Sequence, residues 1–254
     1  MPFGLDDKVA IVTGPGGFGA AYCRGLSDAG ARVVIADREE SGEATVDALR
    51  REGHEPLLVP TDVTSEASTL EMAKVVADTF GGADVLVNNA GMFQGLPHPP
   101  PDPLEKMPLE LWDRVLAMNL TSTLLATRAV VPLMRARGGG VIVNQTSPAI
   151  WQNPPGRIHY AVSKGAILPM TRSLARELAS DNIRVNAICP GPVVTGDEGE
   201  LSAEVVRGFI ERRCIKRFGS EADIVGPLLF LASEMSSWIT GQVLVVDGGG
   251  CMLG

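Results

Sequence analysis

A chain of 254 residues is long for one average domain but within the range of a single large α/β domain, and its 45% hydrophobic and 5% aromatic content suits a core of Val, Ile, Leu and Ala between a parallel sheet and its helices. The formal charge of −8 argues against nucleic acid and against an anionic membrane surface as partners. Four cysteines, Cys23, Cys189, Cys214 and Cys251, show no C-x-x-C pairing and no ligand spacing with the three histidines, which argues against structural zinc and a disulfide framework, and no metal is expected. Charged Asp6, Asp7 and Lys8 come at once with no apolar signal before them, and no apolar run reads as a bilayer span, so a cytoplasmic protein is expected.

Val9-Ala-Ile-Val-Thr13 is a short apolar run that ends in glycines, and it reads as a buried strand. Gly14, Gly16 and Gly19 then fit G-x-G-x-x-G before a helix from Ala20 to Gly30. Glycines there let backbone approach a pyrophosphate, and the helix start offers unpaired N–H groups and a positive dipole end. A second strand, Arg32 to Ala36, ends at Asp37, 18 residues past Gly19, where a carboxylate meets the adenosine ribose in such a unit. The alternation continues. Helix 39–52 leads to strand 57–59 with Asp62 and Val63 after it, and helix 66–80 leads to strand 84–88 with Asn89, Ala90 and Gly91 after it. Alternation of this kind predicts a parallel sheet wound on both sides by right-handed crossovers.

Six prolines between Met92 and Pro108 rule out regular structure and predict a loop over the carboxyl edge of the sheet. A long helix is expected over 109–137, with Asn119 in its interior and Pro132 near its end. Strand 141–147 carries Ser147 at its end, and a turn-rich loop over 148–156 contains Ile150 and Trp151. A helix then runs to about residue 180 with Tyr160 and Lys164 on one face, one turn apart. An ammonium beside a phenol favours the phenolate. At about 4 Å and an effective dielectric near 20 that amounts to roughly 3 pKa units, before burial cancels part of it. A strand over 183–189 ending in Pro190-Gly191, helices over 201–213 and 221–233, and a strand over 242–246 complete one domain, 1–254, with variable loops 92–108, 148–156 and 195–213.

These residues, in this order from Lys8 to Gly250, resemble the classical short-chain dehydrogenase/reductase family. The resemblance rests on Thr13-Gly14 and its glycine loop, Asp62, Asn88-Asn89-Ala90-Gly91, Asn119, Ser147, Tyr160-x-x-x-Lys164, Pro190-Gly191 through Thr195, and Asp247-Gly248-Gly249. It implies a single-domain Rossmann fold with a doubly wound, seven-stranded parallel sheet. Ser147 would polarise a carbonyl oxygen, and Tyr160 would be general acid in reduction and base in oxidation. Lys164 would lower the tyrosine pKa and hold the nicotinamide ribose, and Asn119 would keep a water in a proton relay. The cofactor would lie on Gly14, Gly16, Gly17, Phe18 and Gly19, with Asp37 and Arg38 at the ribose, Asp62 and Val63 at adenine, and Asn89, Ala90 and Gly91 beside the adenosine ribose. Pro190, Gly191, Val193 and Thr195 would meet the carboxamide. Two departures stand out. The glycine loop is one residue shorter than the usual T-G-x-x-x-G-x-G, and Pro169 falls inside the catalytic helix, where it should remove the bond to the Gly165 carbonyl.

The leading expectation is an NAD-dependent alcohol dehydrogenase or ketone reductase. Asp37 accepts bonds from both ribose hydroxyls and repels a 2′-phosphate, while Arg38 softens that repulsion. Competing readings on related folds are a 3-oxoacyl thioester reductase, a non-catalytic dinucleotide sensor and a sugar-nucleotide epimerase. The sensor has no need of Ser147, Tyr160, Lys164 and Asn119 together. Met92, Phe93, Gln94, Pro148, Ile150 and Trp151 lie near the chemistry and are mostly apolar, so the substrate, which touches Gln94, Ser147, Ile150, Trp151 and Tyr160, is expected to carry an uncharged apolar or aromatic group. Arg157 reads equally well as a solvated helix start. The resemblance also implies a homotetramer, built on the helices that begin at Leu109 and Gly156 and on the C-terminal strand.

Overall fold

A computed structural model describes residues 3–92, 104–195 and 203–252. Seven strands form one parallel sheet: β1 (Val9–Thr13), β2 (Arg32–Asp37), β3 (Leu57–Pro60), β4 (Val85–Asn88), β5 (Gly140–Gln145), β6 (Ile183–Pro190) and β7 (Val243–Val246). Their order across the sheet is β3-β2-β1-β4-β5-β6-β7. The chain winds outward from β1 in one direction and then, from β4, in the other, and the reversal leaves a crevice at the carboxyl ends of β1 and β4. The helices in chain order are α1 (Phe18–Asp28), α2 (Glu39–Arg51), α3 (Glu66–Phe80), α4 (Leu109–Leu116), α5 (Ser122–Ala136), α6 (Ala149–Gln152), α7 (Ile158–Glu177), α8 (Ala203–Glu211) and α9 (Glu221–Ala232).

Strand periodicity decides which face each helix covers. Ala10, Val12, Val33, Ile35, Val85, Val87, Val141 and Val143 point to one side and pack with Tyr22 and Leu26 of α1 and Ile224 and Leu228 of α9. Val9, Ile11, Val34, Leu86, Ile142 and Val185 point to the other and pack with Met72 and Val76 of α3, Val130 and Met134 of α5 and Ala175 of α7. Alternating residues within one strand thus feed two cores. Local signals set the ends. Ser65 caps α3 by accepting the Ser68 N–H at 3.3 Å, and left-handed Gly81 closes it. Ser220 and Asp223 form a capping box at the start of α9.

Three expectations need correction. The helix over 109–137 is not one regular helix: α4 and α5 are joined by a π-helical turn, Ala117–Thr121. The run Leu109–Ala136 is also long and apolar enough to cross a membrane by length and composition, and half of the window concerned is buried inside the fold, as in a core helix. Pro169 has no N–H to give the Gly165 carbonyl, as expected, and α7 nonetheless continues through it with the proline on its exposed side. Strand β5 ends two residues before Ser147, which places that serine on the loop at the sheet's carboxyl edge.

Candidate active site

The sheet carries a polar row just beneath this edge. Register places Asn88 beside Asn144, and the Asn88 amide donates to Asn144 Oδ1 at 2.9 Å and to Thr127 Oγ1 of α5 at 3.1 Å. Asn144 in turn donates to Thr171 of α7 at 3.0 Å. Two strands and two helices are thereby fixed to one another in a dry interior, where an unmade bond would be costly. Everything above the row inherits that fixed frame.

Tyr160 and Lys164 project from the first two turns of α7, and Lys164 is only 4% exposed. Its ammonium donates to the main-chain carbonyl of Gln145 at 3.1 Å, and its own carbonyl accepts from Thr146 Oγ1 at 2.8 Å. Burial pushes its pKa down to about 8. The phenol of Tyr160 is hydrogen-bonded to Ser147. Burial raises the Tyr160 pKa, and the Ser147 bond and then the Arg157 charge pull it back down. Lys164, the expected source of that lowering, stands one turn further along α7 and is bonded to the Gln145 carbonyl. Cys189, at the end of β6, acts on both Tyr160 and Lys164 and is itself kept as a neutral thiol by burial.

Asn119 is fully buried in the π turn. Its Oδ1 accepts the Met92 N–H at 2.6 Å, and its Nδ2 donates to the Met92 carbonyl at 3.2 Å and to Ser163 Oγ at 3.0 Å. Ser163 donates to the Tyr160 carbonyl at 2.9 Å. The side chain is therefore a strut between the loop after β4 and the catalytic turn of α7. A Cβ on Gly91 would meet Lys164 Nζ at 3.2 Å and Asn119 Oδ1 at 3.4 Å, so a larger residue at this corner would press on both side chains. Sequence reasoning missed Ser163, Thr146 and the Gln145 carbonyl. The two hydroxyls stood next to recognised positions, but nothing in their spacing announced their partners.

On the other side of the crevice the backbone does the work. Gly14 has φ +72°, and a Cβ there would lie 2.7 Å from Ala90 Cα, while a Cβ on Gly19 would lie 1.9 Å from the Gly14 carbonyl oxygen. Asn89 Nδ2 donates to that same oxygen at 2.5 Å, and the Ala90 N–H donates to Thr13 Oγ1 at 3.2 Å. The start of α1, with Gly17 at the cap and Phe18 first in the helix, has no side-chain cap. The Gly19 N–H there is taken by the Gly16 carbonyl at 3.1 Å, and the positive dipole end of α1 suits a pyrophosphate. Asp37 closes β2 and accepts the Arg38 N–H through one oxygen at 2.6 Å. Asp62 is held well below the ordinary carboxylate range by the hydroxyl and N–H of Thr64, and Val63 beside it is buried. Pro190 ends β6, and Gly191 is required because a Cβ would lie 2.6 Å from Asp247 Cβ. Val193 is buried and pairs with Gly219, and Thr195 follows it, half-buried. This crowding by backbone, the uncapped helix and the carboxylate at β2 fit a dinucleotide along α1.

Ile150 and Trp151 lie half-buried on the short α6, directly after Ser147, with Ile150 against α7 at Gly165. Phe93 and Gln94 lie outside the described residues.

The family model described as enoyl-(acyl carrier protein) reductase matches residues 12–250. An uncharacterised oxidoreductase of Mycobacterium tuberculosis is 41% identical over 248 residues, covering 96% of this chain and 98% of that one. The chain belongs to the short-chain dehydrogenase/reductase family. A cis-4-hydroxycyclohexanecarboxylate dehydrogenase of Sinomonas cyclohexanicum is 37% identical over 244 residues and 96% of either chain. The L-sorbose reductase of Gluconobacter frateurii, solved with NADPH and L-sorbose, superposes with a TM-score of 0.89 at 30% identity over 100% of both chains. As a member of this family the chain is an oxidoreductase that works with a nicotinamide cofactor and a small-molecule substrate.

Proposed function

We propose that this chain is an NAD-dependent dehydrogenase of secondary alcohols, or reductase of the matching ketones, acting as one domain over its whole length. The observation that carries the reading is the Ser147–Tyr160 hydrogen bond beside Lys164 at the carboxyl edge of the sheet. NAD would be held by Gly14, Gly16, Gly17, Phe18 and Gly19 at the pyrophosphate, and by Asp37, with Arg38 next to it, at the adenosine ribose. Asp62, Val63, Asn89, Ala90 and Gly91 would flank adenine and that ribose, and Pro190, Gly191, Val193 and Thr195 the carboxamide. The cofactor supplies or accepts the hydride. In reduction, Ser147 donates to the substrate oxygen and Tyr160 delivers the proton to it. In oxidation, Tyr160 acts from its phenolate form, which Ser147 and Arg157 favour, and becomes the neutral phenol as it takes the hydroxyl proton. Lys164 would hold the nicotinamide ribose and favour the phenolate, and Asn119 holds the turn that carries the pair through Ser163.

Ile150 and Trp151 give the substrate an apolar wall. The named relatives act on compounds of the required kind, since cis-4-hydroxycyclohexanecarboxylate is a ring-borne secondary alcohol and L-sorbose is a ketone. The apolar character of Ile150 and Trp151 is the reason for an uncharged apolar or aromatic group on the substrate, and Arg157, the cationic candidate nearest to Tyr160, is half-buried at the start of α7. A homotetramer is supported by Leu109, Leu124, Ile158 and Val162, apolar side chains left exposed on α4, α5 and α7, and by β7 at the open edge of the sheet.

The test is turnover of a panel of secondary alcohols with NAD and NADP at equal concentration. Tyr160→Phe should keep cofactor binding and lose at least ~10²-fold in kcat, the low end for a general acid–base. A variant that turns over at the wild-type rate would overturn the assignment, and a clear NADP preference would overturn the role of Asp37.

A further inference from the structure

We infer that the side-chain amide of Gln145 binds the cofactor, its oxygen accepting a hydrogen bond from the carboxamide N–H of the nicotinamide. This rests on the cofactor proposed above and adds one residue to the set that holds it. Register sets the place. Thr13 of β1 pairs with Asn88 of β4, and Asn88 pairs with Asn144 of β5. One residue further along stand Gly14, Asn89 and Gln145, and the partner of Gln145 on β6 is Ile188. This layer is the top of the sheet, where the glycine loop begins and the crevice opens. Alternation sets the face. Asn144 bonds to Thr171 of α7 and Ile142 packs on that same side, whereas Val141 and Val143 pack with α1 and α9. Gln145 therefore turns to the α1 side.

An apolar side chain would continue that face, since Val143 comes two residues before it and Ile188 beside it is fully buried. Glutamine stands there instead, half-buried, and its Oε1 is buried without a hydrogen-bond partner. An unmade bond at a buried acceptor is costly, so an orphan of this kind calls for an explanation. Asn89, at the neighbouring position of the same layer, carries a second one. Its Nδ2 donates to the Gly14 carbonyl, while its Oδ1 is buried and unpartnered. Two orphaned acceptors at adjoining positions on the rim of a crevice suit a ligand that brings donors. The donors of a dinucleotide are its adenine amine, its ribose hydroxyls and its carboxamide. Asn89 lies against the glycine loop, on the adenosine side. On the nicotinamide side, the main-chain carbonyl of Gln145 accepts from Lys164, the residue proposed for the nicotinamide ribose, at 3.1 Å. Two residues beyond Ile188 comes Pro190, which opens the segment proposed for the carboxamide. Gln145 stands between these two stations, and the donor that belongs there is the carboxamide N–H.

The probes are NAD and its 3-acetylpyridine analogue, which keeps the carbonyl and replaces the amide nitrogen by a methyl group. Calorimetry gives the dissociation constant of each for wild type, Gln145→Met and Gln145→Leu, so the readout needs no turnover. The 2′-phosphate forms of both compounds serve if the protein prefers NADP. Wild type should bind NAD more tightly than the analogue. In both variants that ratio should shrink by about fivefold or more, the net contribution of one hydrogen bond between neutral groups. The change in the ratio separates the Gln145 contact from every other contact of the carboxamide. A residue that served only the fold would behave otherwise, since its loss would weaken both compounds alike and lower the denaturant midpoint of the cofactor-free protein. Cofactor-free Gln145→Leu should instead be at least as stable as wild type, because an apolar group replaces an orphaned acceptor. A ratio that is the same in wild type and variants overturns the inference, while turnover of secondary alcohols with NAD still upholds the reaction. If wild type binds neither NAD nor NADP, the cofactor proposal fails and this inference with it.

Discussion

The two banks of the crevice are built by opposite means. Beside α1 the fit depends on atoms that are not there: Gly14 and Gly19 stand so close to neighbouring backbone that a Cβ on either would collide. Beside α7 it depends on polar atoms buried at high risk, with Asn119, Ser163, Thr146 and Lys164 each tied to a main-chain carbonyl or N–H. A bank made of glycine is intolerant of additions. A bank made of buried hydrogen bonds is intolerant of deletions, and each deletion leaves a measurable remainder.

The sharpest break in this comparison is Gly19→Ala. Its Cβ would lie 1.9 Å from the Gly14 carbonyl oxygen, which is backbone, and 2.8 Å from Asn89 Nδ2, which is itself bonded to that oxygen. We expect a loss of at least about 3 kcal/mol in denaturant unfolding, the upper range for overpacking, and loss of NAD binding by calorimetry. Gly16→Ala meets nothing within 4 Å and should fall within about 0.5 kcal/mol of wild type. Equal midpoints for the two variants would refute the steric account.

Next in size is the charge on Lys164. Burial lowers its pKa to about 8 in the fold, from 10.5 in the open chain. Below pH 8 the lysine is protonated in both states and the folded state bears the whole penalty. Between pH 8 and 10.5 the unfolded chain holds more protons, so stability rises with pH, by on the order of 3 kcal/mol across the window. Lys164→Met lacks this term. Denaturant midpoints should show the variant gaining most over wild type at pH 7, with the gap closing as pH approaches 10. A constant gap would show that the ammonium is not desolvated.

Ser163→Ala is the mildest test. It removes one of two acceptors of Asn119 Nδ2, leaving the Met92 carbonyl at 3.2 Å. A loss of about 1 kcal/mol is expected from unfolding curves, with kcat lowered a few-fold because the tie to the Tyr160 turn is gone. A Ser163→Ala protein as stable as wild type would mean that Asn119 needs only Met92.

The sequence made the glycine bank readable and the polar bank only half so. Helix 66–80 and the strands around it carry local signals, such as the Ser65 cap and Gly81, and were placed to within a residue or so. Ser147, Tyr160 and Lys164 were legible because their spacing along the chain mirrors their spacing in space. The partners of Lys164 were not, since Gln145 acts through its carbonyl, which every residue has. The π turn was invisible because the apolar pattern of 109–137 continues through it.

That turn has one further consequence. A π turn is equivalent to a single residue inserted into an α-helix, and one residue rotates everything beyond it by about 100°. The face that α4 presents and the face that α5 presents are thus out of phase by design. Removing any one residue from Ala117–Thr121 would give a locally more regular helix, yet it would swing Asn119 away from Met92 or turn Val130 and Met134 away from the sheet. In a length-variant library this pentapeptide should be the stretch of the Leu109–Ala136 run least able to lose a residue.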